Sequence, residues 1–285
     1  MNQHVSTLDV GALSIAPLTP MIGAEISGVD LGRPLEPAIA AALKTALLDW
    51  KVLFFRDQDI TTEQHLAFAR NFGDLEVHPF APHKPGYLEV LAITHDRDSR
   101  GRENTWHSDV TWREKPSLGS ILRAIEVPPI GGDTLFADMA AAYEGLPDTM
   151  KARIEGRVAM HDFGHFRAAM RKRGKSEAEI EAFNAAYPKV EHPVVRTHPE
   201  TGAKALYVNA AFTQHIVGLD EAESDTLLAQ LYAQAAIPEY QCRFRWETHS
   251  IAFWDNRASQ HYAVSDYWPN VRRMERVTVI GDRPR

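Results

Sequence analysis

Two potential metal ligands, His107 and Asp109, stand one residue apart, and a third, His261, lies far along the chain. If the three act together, the fold must bring a late strand alongside an early segment. In an extended stretch residues i and i+2 face the same side, so His107 and Asp109 can reach one ion together. The rest of the chain has to supply a scaffold that closes the remaining distance.

The order of elements is compatible with such a scaffold. Pro37 to Trp50 has helical spacing and strong helix formers, and Val52 to Phe55 reads as a buried strand. Thr62 to Phe72 reads as a helix with an N-cap region at Thr61-Thr62 and a stop at Gly73. Further helices are predicted over Asp138 to Ile154, Ser176 to Ala186 and Asp220 to Ala235, the last with a stripe of Leu227, Leu228, Leu231 and Tyr232. Short segments rich in β-branched or aromatic residues predict strands at Leu118 to Val127, Ala205 to Val208, Cys242 to Trp246, Ser250 to Trp254 and Arg276 to Ile280. Turn signals separate them: Pro128-Pro129 with Gly131-Gly132, His198-Pro199 with Thr201-Gly202, and Asp255-Asn256. A mainly β fold with inserted helices follows, and the natural candidate is a double-stranded β-helix, the cupin-like jelly roll. No repeat or linker divides the 285 residues, so one domain over 1–285 is expected, with helical insertions around 138–188 and 220–236.

Composition narrows the partners. The hydrophobic content of 44% and charged content of 24% are those of a globular protein. A net charge of −7 without a long Lys/Arg run argues against nucleic acid. No apolar stretch is long enough to span a bilayer, so no membrane partner is expected. The opening residues MNQHVSTLDVG lack the basic and apolar regions of a secretory signal, and one cysteine, Cys242, allows no intrachain disulfide. A cytoplasmic location is the simple expectation.

His-x-Asp alone is a weak signal in a chain with 13 histidines, most of which serve as surface or hydrogen-bonded residues. Context adds weight. Thr105, Ser108 and Thr111 are small polar residues able to hydrogen-bond the ligands. His261 follows a strand and a tight Asp255-Asn256 turn; the bland alternative is a core histidine bonded to a carbonyl. Two histidines and one carboxylate with open positions form the facial triad that suits non-haem iron(II). Beyond it, Arg272 and Arg276 share one face of a strand, a fork suited to carboxylate-like anions, while Arg273 faces the other way as a solvated residue.

These blocks together resemble the iron(II)/2-oxoglutarate-dependent dioxygenases of the taurine dioxygenase type. The resemblance runs through Gly23 to Asp30, Trp106 to Thr111, Gly131 to Phe136, His192 to Pro199, Val208-Asn209 with Phe212, and Trp254 to Arg257 with His261 to Ala263. It implies a double-stranded β-helix in which His107, Asp109 and His261 hold Fe(II) as the catalytic centre. It implies further that Thr134 and Arg272 hold the distal carboxylate of 2-oxoglutarate, with O2 as the other co-substrate. Arg276 and His78 fall where the taurine enzyme binds its sulfonate, and Phe212 where it has a pocket wall. Taurine or a related organosulfonate, oxidised to sulfite and an aldehyde with succinate and CO2, is the leading implication. An alkyl sulfate ester or an aryloxyalkanoate is the alternative. The resemblance also suggests a homo-oligomer, a dimer or tetramer.

Three places depart from the taurine enzyme. Ala81 stands where an aromatic residue follows the histidine, Arg102-Glu103-Asn104 replaces an Asp/Asn-rich run, and Gly164 to Arg167 replaces a serine-containing turn. Asn104 could substitute by a one-residue shift. The anion end is thus retained and the far end altered.

Two rival classes remain. A zinc hydrolase using the same ligands could take Glu103 as its base, but leaves the arginine pair without a use. A non-catalytic jelly roll that binds a small anion leaves the spacing of His107, Asp109 and His261 to coincidence. Trp246, Trp254, Phe54 and Phe55 read as core, Cys242 as a small buried hydrophobe, and His192, His198 and His249 as structural or exposed. Gly131 and Gly132 read as a turn, since no lysine or helix start follows at phosphate-loop spacing.

Overall fold

The computed structural model describes residues 13–285 apart from Phe80 and Arg102. Residues 1–12, on which the expectation of no secretory signal rests, lie outside the described residues, as do Arg102 and the side chain of His165.

Strand Val52–Phe55 shows how the core is divided. All four residues are buried, and the two-residue period sends alternate side chains to opposite faces. Leu53 and Phe55 join Ile121, Ile251, Phe253 and Val277 beneath helices Pro37–Trp50 and Thr62–Arg70. Val52 and Phe54 join Leu122, Ala124, Ala252, Trp254 and Met274 against Phe136, Cys242 and Phe244 of a second sheet. There the Phe54 ring stacks on Phe244 with centroids 4.0 Å apart and meets Phe136 edge-on at 5.6 Å.

The larger sheet has eight strands in the order Ser14–Pro17, Ala24–Ser27, Val52–Phe55, Ile251–Asp255, Ser117–Glu126, Arg272–Ile280, Tyr87–His95 and His83–Lys84. The facing sheet is Gln241–Phe244, Thr134–Asp138 and Ser259–Ala263, paired antiparallel. These two layers form the expected jelly roll. A satellite core lies under helices Met139–Glu144 and Glu221–Tyr232, against Ala159, Leu206 and Ile216. Among the described residues, no helix is long and apolar enough to cross a membrane.

Local chemistry explains most element ends. Thr61 and Gln64 close a reciprocal capping box at the start of Thr62–Arg70. Ser176 and Asp220 cap helices Glu177–Ala186 and Glu221–Tyr232, one residue inside the expected starts. Gly131 and Gly132 make the expected turn at φ +81° and +74°, and a Cβ on Gly131 would lie 2.6 Å from Asp266 Oδ1.

Several expectations need correcting. The helix predicted over 138–154 is two, Met139–Glu144 and Asp148–Ile154. Pro147 has no N–H to continue the first helix and sits just ahead of the second. Helix Gly164–Lys172 escaped prediction, having no side-chain cap and no acidic first turn. Strand Tyr87–His95 was also missed, and the last strand starts at Arg272, four residues earlier than Arg276.

After Trp254 the chain enters a buried polar knot. Arg257 donates to Asp255 from Nε at 2.9 Å and Nη2 at 2.7 Å, while His198 Nε2 lies 3.0 Å from Asp255 Oδ2. Burial alone would raise the Asp255 carboxyl, but Arg257 and His198 hold it well below the usual carboxylate range. His198 is therefore structural, as expected.

Cys242 is packed between the sheets, and burial pushes its thiol up to about 12. A thiol reagent at mildly alkaline pH should therefore modify the native protein only at its unfolding rate, and react at once in concentrated guanidinium. Immediate reaction of the folded protein would contradict the packing described.

Candidate active site

The metal-ligand motif does not lie in a strand. Only His107 pairs, in a single antiparallel bridge to His261: His107 N donates to His261 O at 3.1 Å and His261 N to His107 O at 2.8 Å. The chain turns immediately afterwards, with Val110 at φ +47°. The two-residue spacing still brings both side chains to one place. One ligand atom from each of His107, Asp109 and His261 lies within 4.8 Å of the others.

The donor set fits a divalent metal. His107 Nδ1 sits 2.7 Å from Thr105 O and so donates to it, which leaves Nε2 as the nitrogen turned toward Asp109. Each imidazole Nε2 is 3.9 Å from Asp109 Oδ1, beyond hydrogen-bond reach. Burial, then the neighbouring His107, lowers His261 to about 3, so it is a neutral ligand near neutral pH. Burial would raise the Asp109 carboxyl, yet Arg276, His261, His107 and the Ser120 hydroxyl together hold it well below its ordinary range. A neutral His261 and a committed Asp109 carboxylate are ligand states that suit such an ion.

A cavity beside the triad is lined by His107, His261, Thr134, Tyr267, Arg272 and Arg276, among others. Arg272 is 5% exposed, flanked by the Trp246 and Tyr267 rings at 5.9 Å each, and its Nε has no partner among the described residues. Burial pulls its pKa down from 12.5, with Tyr267 and Glu103 opposing. A buried cation so placed calls for an anionic guest. Thr134 Oγ1 accepts the Trp246 indole N–H at 2.9 Å, which leaves its own hydroxyl proton free to point at the same guest.

The remaining expected residues are placed as follows. Arg276 Nη1 donates to Asp109 Oδ1 at 2.8 Å, so the arginine expected at the substrate is also the counter-ion of the carboxylate in the His-Asp-His cluster. His78 is buried; its Nδ1 accepts the Ala81 N–H at 3.1 Å, which puts the ring proton on Nε2. Burial, then Arg276 and Arg113, lower His78 to about 4. The Phe212 ring lies 6.2 Å from His107, and beyond it come Phe163 at 5.6 Å and then Trp112, stacked on Phe163 at 5.3 Å. Asn104 is exposed and outside the cavity lining; its neighbour Glu103 lines the cavity instead, with Oε2 3.4 Å from His95 Nε2. Arg273 pairs with Glu126 at the surface, as a solvated residue should.

Sequence reasoning missed Ser120, whose Oγ donates to Asp109 Oδ2 at 2.8 Å, and Tyr267 beside Arg272. Neither has a local signal, since Ser120 reads as one more residue of a strand and Tyr267 as part of a loop. Trp246, read only as core, also holds Thr134.

A jelly roll with a two-histidine, one-carboxylate centre and a buried arginine beside it defines a non-haem iron oxygenase of the 2-oxoglutarate-dependent class. A family model described as "Taurine catabolism dioxygenase TauD, TfdA family" matches residues 14–278. The chain belongs to this family. It is 38% identical to an alpha-ketoglutarate-dependent sulfate ester dioxygenase of Pseudomonas putida over 276 residues, covering 95% of this chain and 91% of that protein. It is 37% identical to an alkylsulfatase of Acinetobacter baylyi, covering 95% and 86%. The crystal structure of a taurine dioxygenase from Burkholderia xenovorans superposes with a TM-score of 0.82 at 40% identity, covering 96% of this chain and 91% of that one. The protein is thus a 2-oxoglutarate-dependent dioxygenase using Fe(II), 2-oxoglutarate and O2. Family membership decides against both the zinc hydrolase and the non-catalytic anion binder.

Under anaerobic conditions, iron(II) with 2-oxoglutarate should give a visible charge-transfer band that Asp109→Ala abolishes. An unchanged band would remove Asp109 from the ligand set. With Arg272 as the expected partner of the distal carboxylate, Arg272→Ala should weaken 2-oxoglutarate by about 2–5 kcal/mol, roughly 30-fold to several thousand-fold.

Proposed function

We propose that the enzyme oxidises the carbon that carries a sulfate or sulfonate group, and that a sulfate ester of an apolar alcohol is its preferred substrate. His107, Asp109 and His261 would hold iron(II), which supplies the oxygen activation coupled to decarboxylation of 2-oxoglutarate to succinate and CO2. Arg272 and the Thr134 hydroxyl would hold the distal carboxylate of 2-oxoglutarate. Arg276 and the Nε2–H of His78 would receive the substrate anion. Both sheets contribute to this one centre, which supports treating residues 1–285 as a single functional domain. One oxygen atom enters succinate and the other enters the substrate as a hydroxyl group. A hydroxylated sulfate ester then collapses to an aldehyde and inorganic sulfate.

The observation that carries the choice of substrate is the run of rings from Phe212 through Phe163 to Trp112, beginning beside His107. An apolar chain gains from such a run of rings, and among the described residues the carboxylates buried near it are already paired. These are Asp162, paired with Arg167, and Glu76, paired with Arg113. Taurine, the leading implication of the sequence, is therefore ranked below alkyl sulfates. The relatives named for sulfate esters and alkyl sulfates favour the same order. Aryloxyalkanoates share the anion and the ring but place a carboxylate at Arg276.

Substrate-dependent succinate release should rank alkyl sulfates above alkylsulfonates, aryloxyacetates and taurine. Along a series of n-alkyl sulfates, kcat/KM should climb by up to about fourfold per methylene, the equivalent of about 0.8 kcal/mol for each CH2 buried. Phe212→Ala should flatten that climb. Taurine as the best substrate, or a flat series in the native enzyme, would overturn the proposal.

A further inference from the structure

The backbone around Asp109 is held in an unusual way. Pairing between the two ligand-bearing segments consists of one backbone bridge, His107 with His261. Beyond it, side chains take over. Ser108 Oγ donates to Ser259 O at 2.8 Å. The carboxamide of Asn256 then grips Asp109 at both backbone polar groups. Its Oδ1 accepts the Asp109 N–H at 2.6 Å, and its Nδ2 donates to Asp109 O at 2.9 Å and to Ser117 O at 3.3 Å. Asn256 thus does for Asp109 what the next residue of a partner strand would do, with an amide that copies a peptide group.

There is a reason the grip is needed. Val110, the next residue, is 5% exposed and adopts φ +47°. A β-branched residue avoids this left-handed region, at a cost of roughly 1–3 kcal/mol. Left to itself, the peptide between Asp109 and Val110 would rotate back and carry the Asp109 side chain away from His107 and His261. Asn256 is itself 1% exposed, its own N–H donates to Leu118 O at 2.9 Å, and it follows Asp255 of the buried polar knot. It is a rigid anchor.

We infer that Asn256 is the positioning residue for the metal ligand Asp109, holding it against the strain stored at Val110. The inference rests on the reading of His107, Asp109 and His261 as the ligands. It concerns the backbone of Asp109, whereas Ser120 and Arg276 act on the carboxylate.

The test is the affinity of the metal-free protein for Co(II), measured calorimetrically with far-UV circular dichroism to establish folding. Asn256→Ala should bind Co(II) about 10- to 100-fold more weakly than the native protein, the usual range for losing a group that orients a ligand. Ser259→Ala removes a bond of the same buried turn, Ser259 Oγ to Asp255 O at 2.7 Å, without reaching Asp109. It should stay within about threefold of native affinity, which separates positioning from general loosening of the turn. Adding Val110→Gly to Asn256→Ala should recover affinity, because glycine accepts the left-handed conformation without strain. If Asn256→Ala does not fold, the isosteric Asn256→Asp serves: it still accepts the Asp109 N–H but sets an oxygen against the Asp109 carbonyl, and should also weaken Co(II). Native-like Co(II) affinity in the folded Asn256 variant, with affinity lost in Asp109→Ala, overturns the inference alone. Native-like affinity in Asp109→Ala overturns the ligand assignment beneath it.

Discussion

The reciprocal backbone bridge between His107 and His261 is the constraint on which the site depends. It joins an early segment to a late strand of the smaller sheet and fixes the two imidazoles with ring centroids 4.2 Å apart. The smaller sheet that carries His261 is packed on the larger one through the Phe54, Phe136 and Phe244 rings. Packing of apolar side chains between two sheets thus supports the placement of nitrogen atoms in the His-Asp-His cluster.

Strand Arg272–Ile280 turns strand period into charge separation. Arg272 and Arg276 face the cavity between the sheets, whereas Glu275 points the other way and takes Lys84, Arg123 and Thr62 as partners. One strand therefore presents two cations inward and a carboxylate outward. Arg276 is balanced by Asp109, whereas Arg272 has aromatic neighbours in place of a carboxylate partner. The difference suits their proposed roles, one arginine shared with a metal ligand and the other kept for a co-substrate.

Much of this was legible in the sequence, and what was not has physical causes. The triad and the two arginines were visible because their residue types are costly to bury without purpose, and the spacing of the arginines matches a strand period. The jelly roll followed from short strands punctuated by turns. The extended geometry expected around Asp109 was wrong, because the turn at Val110 depends on Asn256, whose partners lie across the fold. In the sequence Asn256 reads as a turn residue and as part of the block Trp254 to Arg257, with no role of its own. Ser120 was invisible for a similar reason, being one hydroxyl in a buried strand whose partner comes from another segment. The helix break at Pro147 could have been read, since proline at that place cannot continue the helix before it. Asn104, expected at the substrate, is exposed, and Glu103 next to it lines the cavity; a one-residue choice in a loop is beyond what periodicity resolves.

The outer strands of the eight-stranded sheet have their own consequence. One edge is Ser14–Pro17, mostly exposed and ending in a proline; the other is the two-residue strand His83–Lys84, whose lysine is tied to Glu275. An edge that lacks an N–H, or is too short and carries a charge, offers a poor template for another strand. The larger sheet is thereby guarded at both edges against growing from one molecule into the next.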